Sequence, residues 1–136
     1  MMPEAMTAIH AASFQRPRPW GVREFRDLLA SDTVFLSAHD HGFALGRIAG
    51  PEVELLTLAV APDQRRRGIA AGLMQDFIGQ AKAKGASEAF LEVAEDNHAA
   101  IALYRRFDFR KAGHRKDYYA DMRGGRVSAL VMTRQL

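Results

Sequence analysis

Leu55-Leu56-Thr57-Leu58-Ala59-Val60 reads as an apolar strand, and Arg65-Arg66-Arg67-Gly68-Ile69-Ala70 follows it at the start of a helical stretch. A strand that turns into a helix presents unpaired backbone N–H groups and the positive end of the helix dipole at one point. Gly68 and Ala70 carry almost no side chain, so a phosphate can approach the backbone closely. The segment therefore predicts a binding turn for an anionic, phosphorylated ligand.

An alternative interpretation of this turn is a solvated basic surface, since arginine runs at helix starts are often just that. Two other phosphate motifs are excluded. The chain contains no Gly-x-x-x-x-Gly-Lys-Ser/Thr stretch and no Gly-x-Gly-x-x-Gly stretch. Nucleotide hydrolysis and ordinary dinucleotide binding are therefore disfavoured.

Length and composition predict one domain spanning residues 1–136, because 136 residues with 48% hydrophobic content can form a real core. The 19 basic and 16 acidic residues give a net charge of only +3, which disfavours a dedicated nucleic-acid binder. There is no cysteine, no signal-peptide pattern and no apolar run of membrane-spanning length. We therefore expect a cytoplasmic protein with no membrane and no DNA partner.

The remaining pattern predicts an α/β fold, a mixed sheet with flanking helices. Helices are predicted at 4–14 and 20–30, separated by Pro17-Arg18-Pro19, and again from Gly68 to Gly85. The predicted strands cover residues 33–38, 43–49, 53–60, 89–94, 109–114 and 127–133.

The connections between these elements predict part of the topology. Asp40-His41-Gly42 favours an antiparallel hairpin, and residues 123–126 read as a second hairpin-like turn. The strand, helix and strand from 53 to 94 predict two parallel neighbours with a right-handed crossover. Ligands of such sheets bind at the carboxyl ends of the strands. Asp96 or Asn97 is predicted to cap a further helix.

Glu92 and Tyr104 are the candidate catalytic residues. Strand alternation places Glu92 on one face with Phe90 and Ala94, where a half-buried carboxylate suits general-base chemistry. Many strand carboxylates simply reach solvent, however. Tyr104 lies on the apolar stripe of the last predicted helix, where a tyrosine is often only a core residue.

Taken together, these segments resemble the GNAT N-acetyltransferase superfamily, and within it the bacterial RimI-type ribosomal-protein-alanine N-acetyltransferases. Leu58-Ala59-Val60-Ala61-Pro62 with the arginine turn resembles the acetyl-CoA segment of the superfamily. Leu91-Glu92-Val93, Asn97, Ala102-Leu103-Tyr104 and Tyr118-Tyr119 follow the more particular RimI-type spacing. The resemblance covers nearly the whole chain from about Ala8 onward.

The resemblance implies acetyl-CoA as cosubstrate, with no metal and no covalent enzyme intermediate. Glu92 would remove a proton from the acceptor amine through water, and Tyr104 would protonate the departing CoA thiolate. Asn97 would bind further along the cosubstrate. The implied cosubstrate-binding residues are Leu58, Ala59, Val60, Arg65, Arg66, Arg67, Gly68, Ile69, Ala70, Ala71 and Asn97.

The implied acceptor is a protein N-terminus or peptide, such as the N-terminal alanine of a ribosomal protein. Alternatives are a GNAT enzyme acting on lysine or a small-molecule amine, a non-catalytic CoA-sensing domain, and a basic-patch RNA binder. Few residues precede Ala8, so the N-terminal strand usual in the family is expected to be reduced or absent. Asp108 stands where the family commonly has glycine, which predicts a left-handed or bulged backbone.

Overall fold

Four helices and six strands make up the part of the chain that the computed structural model describes, residues 1–13, 19–120 and 125–136. The helices are α1 (Pro3–Ser13), α2 (Val22–Ala30), α3 (Ile69–Ala83) and α4 (His98–Arg106). The strands are β1 (Val34–His39), β2 (Gly42–Ala49), β3 (Glu52–Val60), β4 (Glu88–Ala94), β5 (Arg110–Ala120) and β6 (Arg126–Gln135). A short 3-10 helix spans Pro62–Gln64. Phe14, Pro17, Arg18, Arg123 and Gly124, on which some predictions fell, lie outside the described residues.

The predicted α/β fold with a mixed sheet is confirmed. The strand order is β1-β2-β3-β4-β6-β5, and every neighbouring pair is antiparallel except β3 and β4. The predicted β1–β2 hairpin and the predicted parallel pair are both present. In the described residues, β1 is the first strand and follows both N-terminal helices.

The sheet opens between β3 and β4. These strands pair only at Glu52 with Glu88, Val53 with Ala89 and Glu54 with Phe90. Beyond this point β3 stays paired with β2, and β4 stays paired with β6. The opening starts beside a β-bulge, because Leu45 pairs with Thr57 and Gly46 with Leu55, which leaves Leu56 as an extra residue. A bulge bends a strand and increases its twist, which accounts for the divergence.

The bulge also inverts the alternation of β3. Val53 and Leu55 face the core beneath α3 and α4, and after the bulge it is Leu58 and Val60 that face it. Buried residues of this core include Leu73, Met74, Phe77, Leu91, Val93, Ile101 and Tyr104. The opposite face packs against α1 and α2, with a second core of Met6, Phe25, Phe43, Leu45 and Ala59. The molecule therefore has three layers, with a gap in the middle one.

Local signals set most element boundaries. α2 begins at Val22, not at the predicted Trp20, because Gly21 is its N-cap and donates its N–H to Glu24 Oε1 at 3.3 Å. The left-handed backbone predicted at Asp108 is confirmed by its φ of 67°. β5 extends beyond the predicted residues 109–114. The sequence shows no alternation of apolar and polar residues over the extra length, because nearly all side chains of this strand are exposed.

No helix of the described residues is long and apolar enough to cross a membrane.

Gly46 is a packing-critical position in β2. A Cβ built there would clash with Phe35 Cζ and would lie 2.8 Å from Phe77 Cε1, and these two rings are stacked with centroids 5.7 Å apart. We expect Gly46→Ala to lower the free energy of unfolding by about 1–3 kcal/mol, since neither ring can move without disturbing the other. Urea denaturation measures this.

The matched control is Gly79→Ala in α3, where nothing lies within 4 Å of an added Cβ. Alanine there should stabilise the protein by up to about 1 kcal/mol through helix propensity. Equal effects of the two substitutions would contradict the packing argument.

Candidate active site

A groove of about 370 Å³ begins at the turn between β3 and α3 and runs between that turn and α4. Gly68 caps α3 in the left-handed conformation, with φ of 78° and no side-chain capping bond. Within the described residues, the N–H groups of Ile69, Ala70 and Ala71 have no acceptor, since the first bond in this turn is Gly72 N–H to Gly68 O. These donors and the helix dipole form a candidate anion site.

Two further features of this turn fit a phosphorylated ligand. The first turn of α3 contains no acidic residue that would repel it. Arg66 adopts φ of 65°, a conformation that costs a non-glycine residue about 1–2 kcal/mol. Such strain concentrates at ligand-binding turns.

The structure brings almost all the predicted cosubstrate residues into this one groove. Arg67 is the exception, since it belongs to the turn but not to the groove wall. The predicted residues that line it are Leu58, Ala59, Val60, Arg65, Arg66, Gly68, Ile69, Ala70, Ala71 and Asn97. Ser13, Gln64, Ala99, Ala100, Leu103, Tyr104 and Arg106 complete the wall.

A smaller cavity of about 80 Å³ lies at the opening between β3 and β4. We call it the side cavity. His10 of α1 and Trp20, which precedes α2, line it on one side. Its other polar side chains are those of Thr57, Glu92, Asn97, Tyr104 and Tyr119. Because Asn97, Leu58 and Tyr104 line both the groove and the side cavity, the two meet in the gap of the sheet.

Asn97 has a structural and a candidate binding role. Its Oδ1 accepts the N–H of Ala100 at 3.2 Å, which confirms the predicted cap of α4. Its Nδ2 has no acceptor among the described residues, so this amide can donate to a ligand in the groove.

Glu92 lies on β4, and its side chain is 20% exposed. Its Oε1 pairs with Arg115 Nη2 at 3.2 Å, and since β6 lies between β4 and β5, this ion pair crosses one strand. The Arg115 guanidinium also lies over the Tyr118 ring, 5.1 Å from its centroid. Arg115 therefore fixes one oxygen of Glu92, while the carboxylate still faces the side cavity.

Tyr104 reaches the gap from α4 and is only 8% exposed. Burial raises the pKa of Tyr104 to about 12, so its phenol stays protonated near neutral pH. The hydroxyl has no hydrogen-bond partner in the described part of the chain. A buried hydroxyl without a partner is unfavourable, and a ligand that accepts its hydrogen bond would relieve this.

Tyr119 is a polar residue of the side cavity to which the sequence assigned no role. Burial, and then the negative charge of Glu92, raise the pKa of Tyr119 above its ordinary value of 10. It therefore also remains a hydrogen-bond donor. Glu92, Tyr104 and Tyr119 thus form one cluster with one carboxylate and two protonated phenols.

His10 lines the side cavity and contacts Trp20, which lines it as well. It is 1% exposed, its Nδ1 accepts the Trp20 N–H at 3.0 Å, and its ring stacks on Trp20 at 5.0 Å. Burial lowers the pKa of His10 to about 4, partly opposed by the charge of Glu24. The imidazole is therefore neutral at neutral pH.

The lowered pKa of His10 predicts that the folded protein loses stability at acidic pH. His10 binds a proton below its ordinary pKa of 6.5 when unfolded, but only near 4 when folded. The unfolded state therefore gains protons first as pH falls, and we expect the free energy of unfolding to drop by about 3 kcal/mol between pH 6.5 and 4 from this residue. Urea denaturation at a series of pH values measures it.

The control for this prediction is His10→Asn, whose Oδ1 can still accept the Trp20 N–H but cannot titrate. The variant should lose less stability than the unsubstituted protein over the same pH window. An identical pH dependence in both proteins would show that another group is responsible.

The described residues contain no group of three or more His, Cys, Asp or Glu side chains that could hold a metal ion.

Several groove residues carry a weak sequence signal. Ala99, Leu103 and Arg106 are spaced by four and three residues, so they share one face of α4, and this face could have been read from Asn97 onward. No sequence pattern of this kind marks Ser13, His10 and Trp20. These residues reach the site only through packing between the N-terminal segment and the sheet. The same holds for Arg115, which reaches Glu92 across a strand.

A helix start with unpaired N–H donors, joined by an open sheet edge to a carboxylate and a buried phenol, fits an acyl-CoA-dependent acyltransferase. Residues 4–109 match the Acetyltransferase (GNAT) family. The chain therefore belongs to the GNAT family and is an acetyl-CoA-dependent N-acetyltransferase, as the resemblance had indicated.

Two curated relatives and one solved structure that are similar to this chain are also N-acetyltransferases. The chain is 30% identical over 129 residues to the [ribosomal protein bS18]-alanine N-acetyltransferase of Escherichia coli strain K12, covering 92% of this chain and 86% of that protein. It is 32% identical over 120 residues to N-alpha-acetyltransferase RimI of Mycobacterium tuberculosis, covering 82% and 74%. The crystal structure of the ribosomal-protein-S18-alanine N-acetyltransferase from Escherichia coli superposes with a TM-score of 0.86 at 27% identity, covering 98% of this chain and 86% of that one.

Proposed function

We propose that this enzyme acetylates the α-amino group at a protein N-terminus, with the N-terminal alanine of a ribosomal protein as acceptor. The observation that carries the proposal is the convergence of Glu92 and Tyr104 on the gap between β3 and β4, beside a cavity that opens under α1 and α2. Relatives similar over most of the chain are named for this acceptor, which supports the same class of substrate.

Acetyl-CoA would lie along the groove. The pyrophosphate would accept the N–H groups of Ile69, Ala70 and Ala71, with Arg65 and Arg66 beside it. The pantetheine arm would lie along the open edge of β3 at Leu58, Ala59 and Val60, where backbone groups have no partner strand on the β4 side. The Asn97 amide would donate to the same arm.

Glu92 is the proposed general base. The neutral amine attacks the thioester carbonyl carbon, a C–N bond forms and the C–S bond breaks. The amine loses one proton to Glu92 through a water molecule. Arg115 binds Oε1 and so directs the other oxygen toward the side cavity.

Tyr104 is the proposed acid at the leaving sulfur. An ordinary thiol has a pKa of about 8.5, below the value of about 12 that burial gives Tyr104. Complete proton transfer to the thiolate is therefore uphill, and the main contribution of the phenol is a hydrogen bond that strengthens as charge develops on sulfur. The unpartnered hydroxyl is prepared for this bond before substrate arrives.

The pKa of the acceptor amine favours an N-terminus over a lysine side chain as the substrate. An α-amino group with a pKa of about 7.7 to 8 is partly neutral at pH 7, whereas neutralising lysine at about 10.4 costs about 4.6 kcal/mol. A single carboxylate such as Glu92, ion-paired with Arg115, suits the more acidic amine. Lysine or a small-molecule amine is the second candidate acceptor.

The test is acetylation of two peptides in the presence of acetyl-CoA, scored by mass spectrometry. One carries the free N-terminal alanine of bS18, and the other is blocked at its N-terminus and contains an internal lysine. We expect acetylation of the first peptide alone. Modification of the lysine, or of neither peptide by a protein that binds CoA, would overturn the proposed acceptor.

A further inference from the structure

Arg106 lies in the last turn of α4 and lines the groove on the wall that faces the phosphate-binding turn. It shares this wall with Leu103 and Ala99, which precede it by three and seven positions and so lie on the same face of α4. Arg105, its neighbour in the chain, is equally exposed but does not line the groove. The groove is thus lined by Arg106 from α4 and by Arg65 and Arg66 from the turn before α3.

Arg106 forms no ion pair with any described residue. By contrast, Arg47 pairs with Glu54 and Arg115 pairs with Glu92. The end of α4 does not require Arg106 either, because Arg134 Nη1 donates to Phe107 O at 2.8 Å and so caps the helix. Neither an internal partner nor helix capping explains why this cation faces the groove.

A ligand phosphate explains it. The backbone donors at the start of α3 serve one anionic group, the pyrophosphate. Acetyl-CoA carries a second one, the 3′-phosphate on its ribose, a monoester with a charge of about −1.5 to −2 at pH 7. A guanidinium binds two phosphate oxygens through parallel N–H···O hydrogen bonds and adds a full positive charge.

We propose that Arg106 binds the 3′-phosphate of acetyl-CoA and makes the enzyme selective for CoA thioesters over those of dephospho-CoA. The proposal rests on the cosubstrate of the family and is independent of the acceptor. Arg106 is then a selectivity residue of the groove, remote from the reacting atoms in the gap.

The test is calorimetric titration of CoA and dephospho-CoA into the unsubstituted protein, Arg106→Gln, Arg106→Lys and the matched control Arg105→Gln. We expect Arg106→Gln to weaken CoA binding about tenfold and to leave dephospho-CoA binding unchanged. Arg106→Lys should retain part of the selectivity, since it keeps the charge. Arg105→Gln should bind both ligands as the unsubstituted protein does.

Three results would overturn the proposal. Equal weakening of both ligands in Arg106→Gln would place the side chain on the pyrophosphate. An equal loss in Arg105→Gln would reduce the effect to general surface charge. Binding of neither ligand by the unsubstituted protein would contradict the cosubstrate itself, which the other outcomes leave intact.

Discussion

Replacing Glu92 with glutamine should lower kcat about 100-fold to 10,000-fold, while the dissociation constant for CoA stays within about twofold of the original value. The amide keeps the size of the carboxylate but cannot accept the proton of the acceptor amine, and a positioned general base contributes about this factor. Glu92 lines the side cavity and not the groove, so cosubstrate binding should survive. Steady-state kinetics with a free N-terminal peptide and calorimetry with CoA measure the two quantities.

Glu95→Gln provides the matched control for this prediction. Glu95 follows directly after β4, and its Oε2 lies 3.2 Å from His114 Nε2, but it lines neither cavity. Its replacement should leave kcat nearly unchanged. Arg115→Gln breaks the same ion pair as Glu92→Gln and should cost much less activity. If Arg115→Gln were as damaging, Glu92 would be needed for its ion pair and the general-base role would be wrong.

Tyr104→Phe should lower kcat about 100-fold to 1,000-fold, as does loss of one positioned donor to developing negative charge. The free energy of unfolding, by contrast, should not fall. The hydroxyl is buried without a partner in the described residues, so removing it should leave the free energy of unfolding unchanged or raise it by up to about 1 kcal/mol. Kinetics and urea denaturation of the same preparation test both parts.

Tyr118→Phe is the control, because Tyr118 is 45% exposed and lines neither cavity. It should change neither quantity by a comparable amount. A large loss of stability in Tyr104→Phe would mean that the hydroxyl has a structural partner. Unchanged kcat would contradict its role at the leaving sulfur.

Sequence reasoning succeeded where the signal is local. Gly68, Asn97 and the apolar spacing of α3 determine elements that lie within a few residues of the pattern that predicts them. The β1–β2 hairpin, the parallel pairing of β3 with β4 and the left-handed backbone at Asp108 also followed from short-range patterns and the family resemblance. The place of β6 between β4 and β5 did not. The candidate catalytic pair came from the resemblance, and its role is still a prediction.

The remaining features depend on contacts between distant segments. The bulge at Leu56 is not visible in an apolar run, since every residue around it can be buried on either face. The stack of His10 on Trp20 and the reach of Arg115 across β6 arise only when separate elements pack. Helical spacing from Asn97 could have placed Arg106 on the groove face of α4. The sequence alone did not distinguish it from the neighbouring basic residues.

The gap between β3 and β4 has a consequence for inhibitor design. Beyond Glu54 and Phe90 the two strands are unpaired with each other as far as their carboxyl ends, so the opening can be entered from that end. A compound that joins CoA covalently to a peptide would have its linker between the two strands. We expect it to enter from the open end without separating the three paired positions. Because it would occupy the groove and the side cavity together, we expect it to dissociate more slowly than CoA alone.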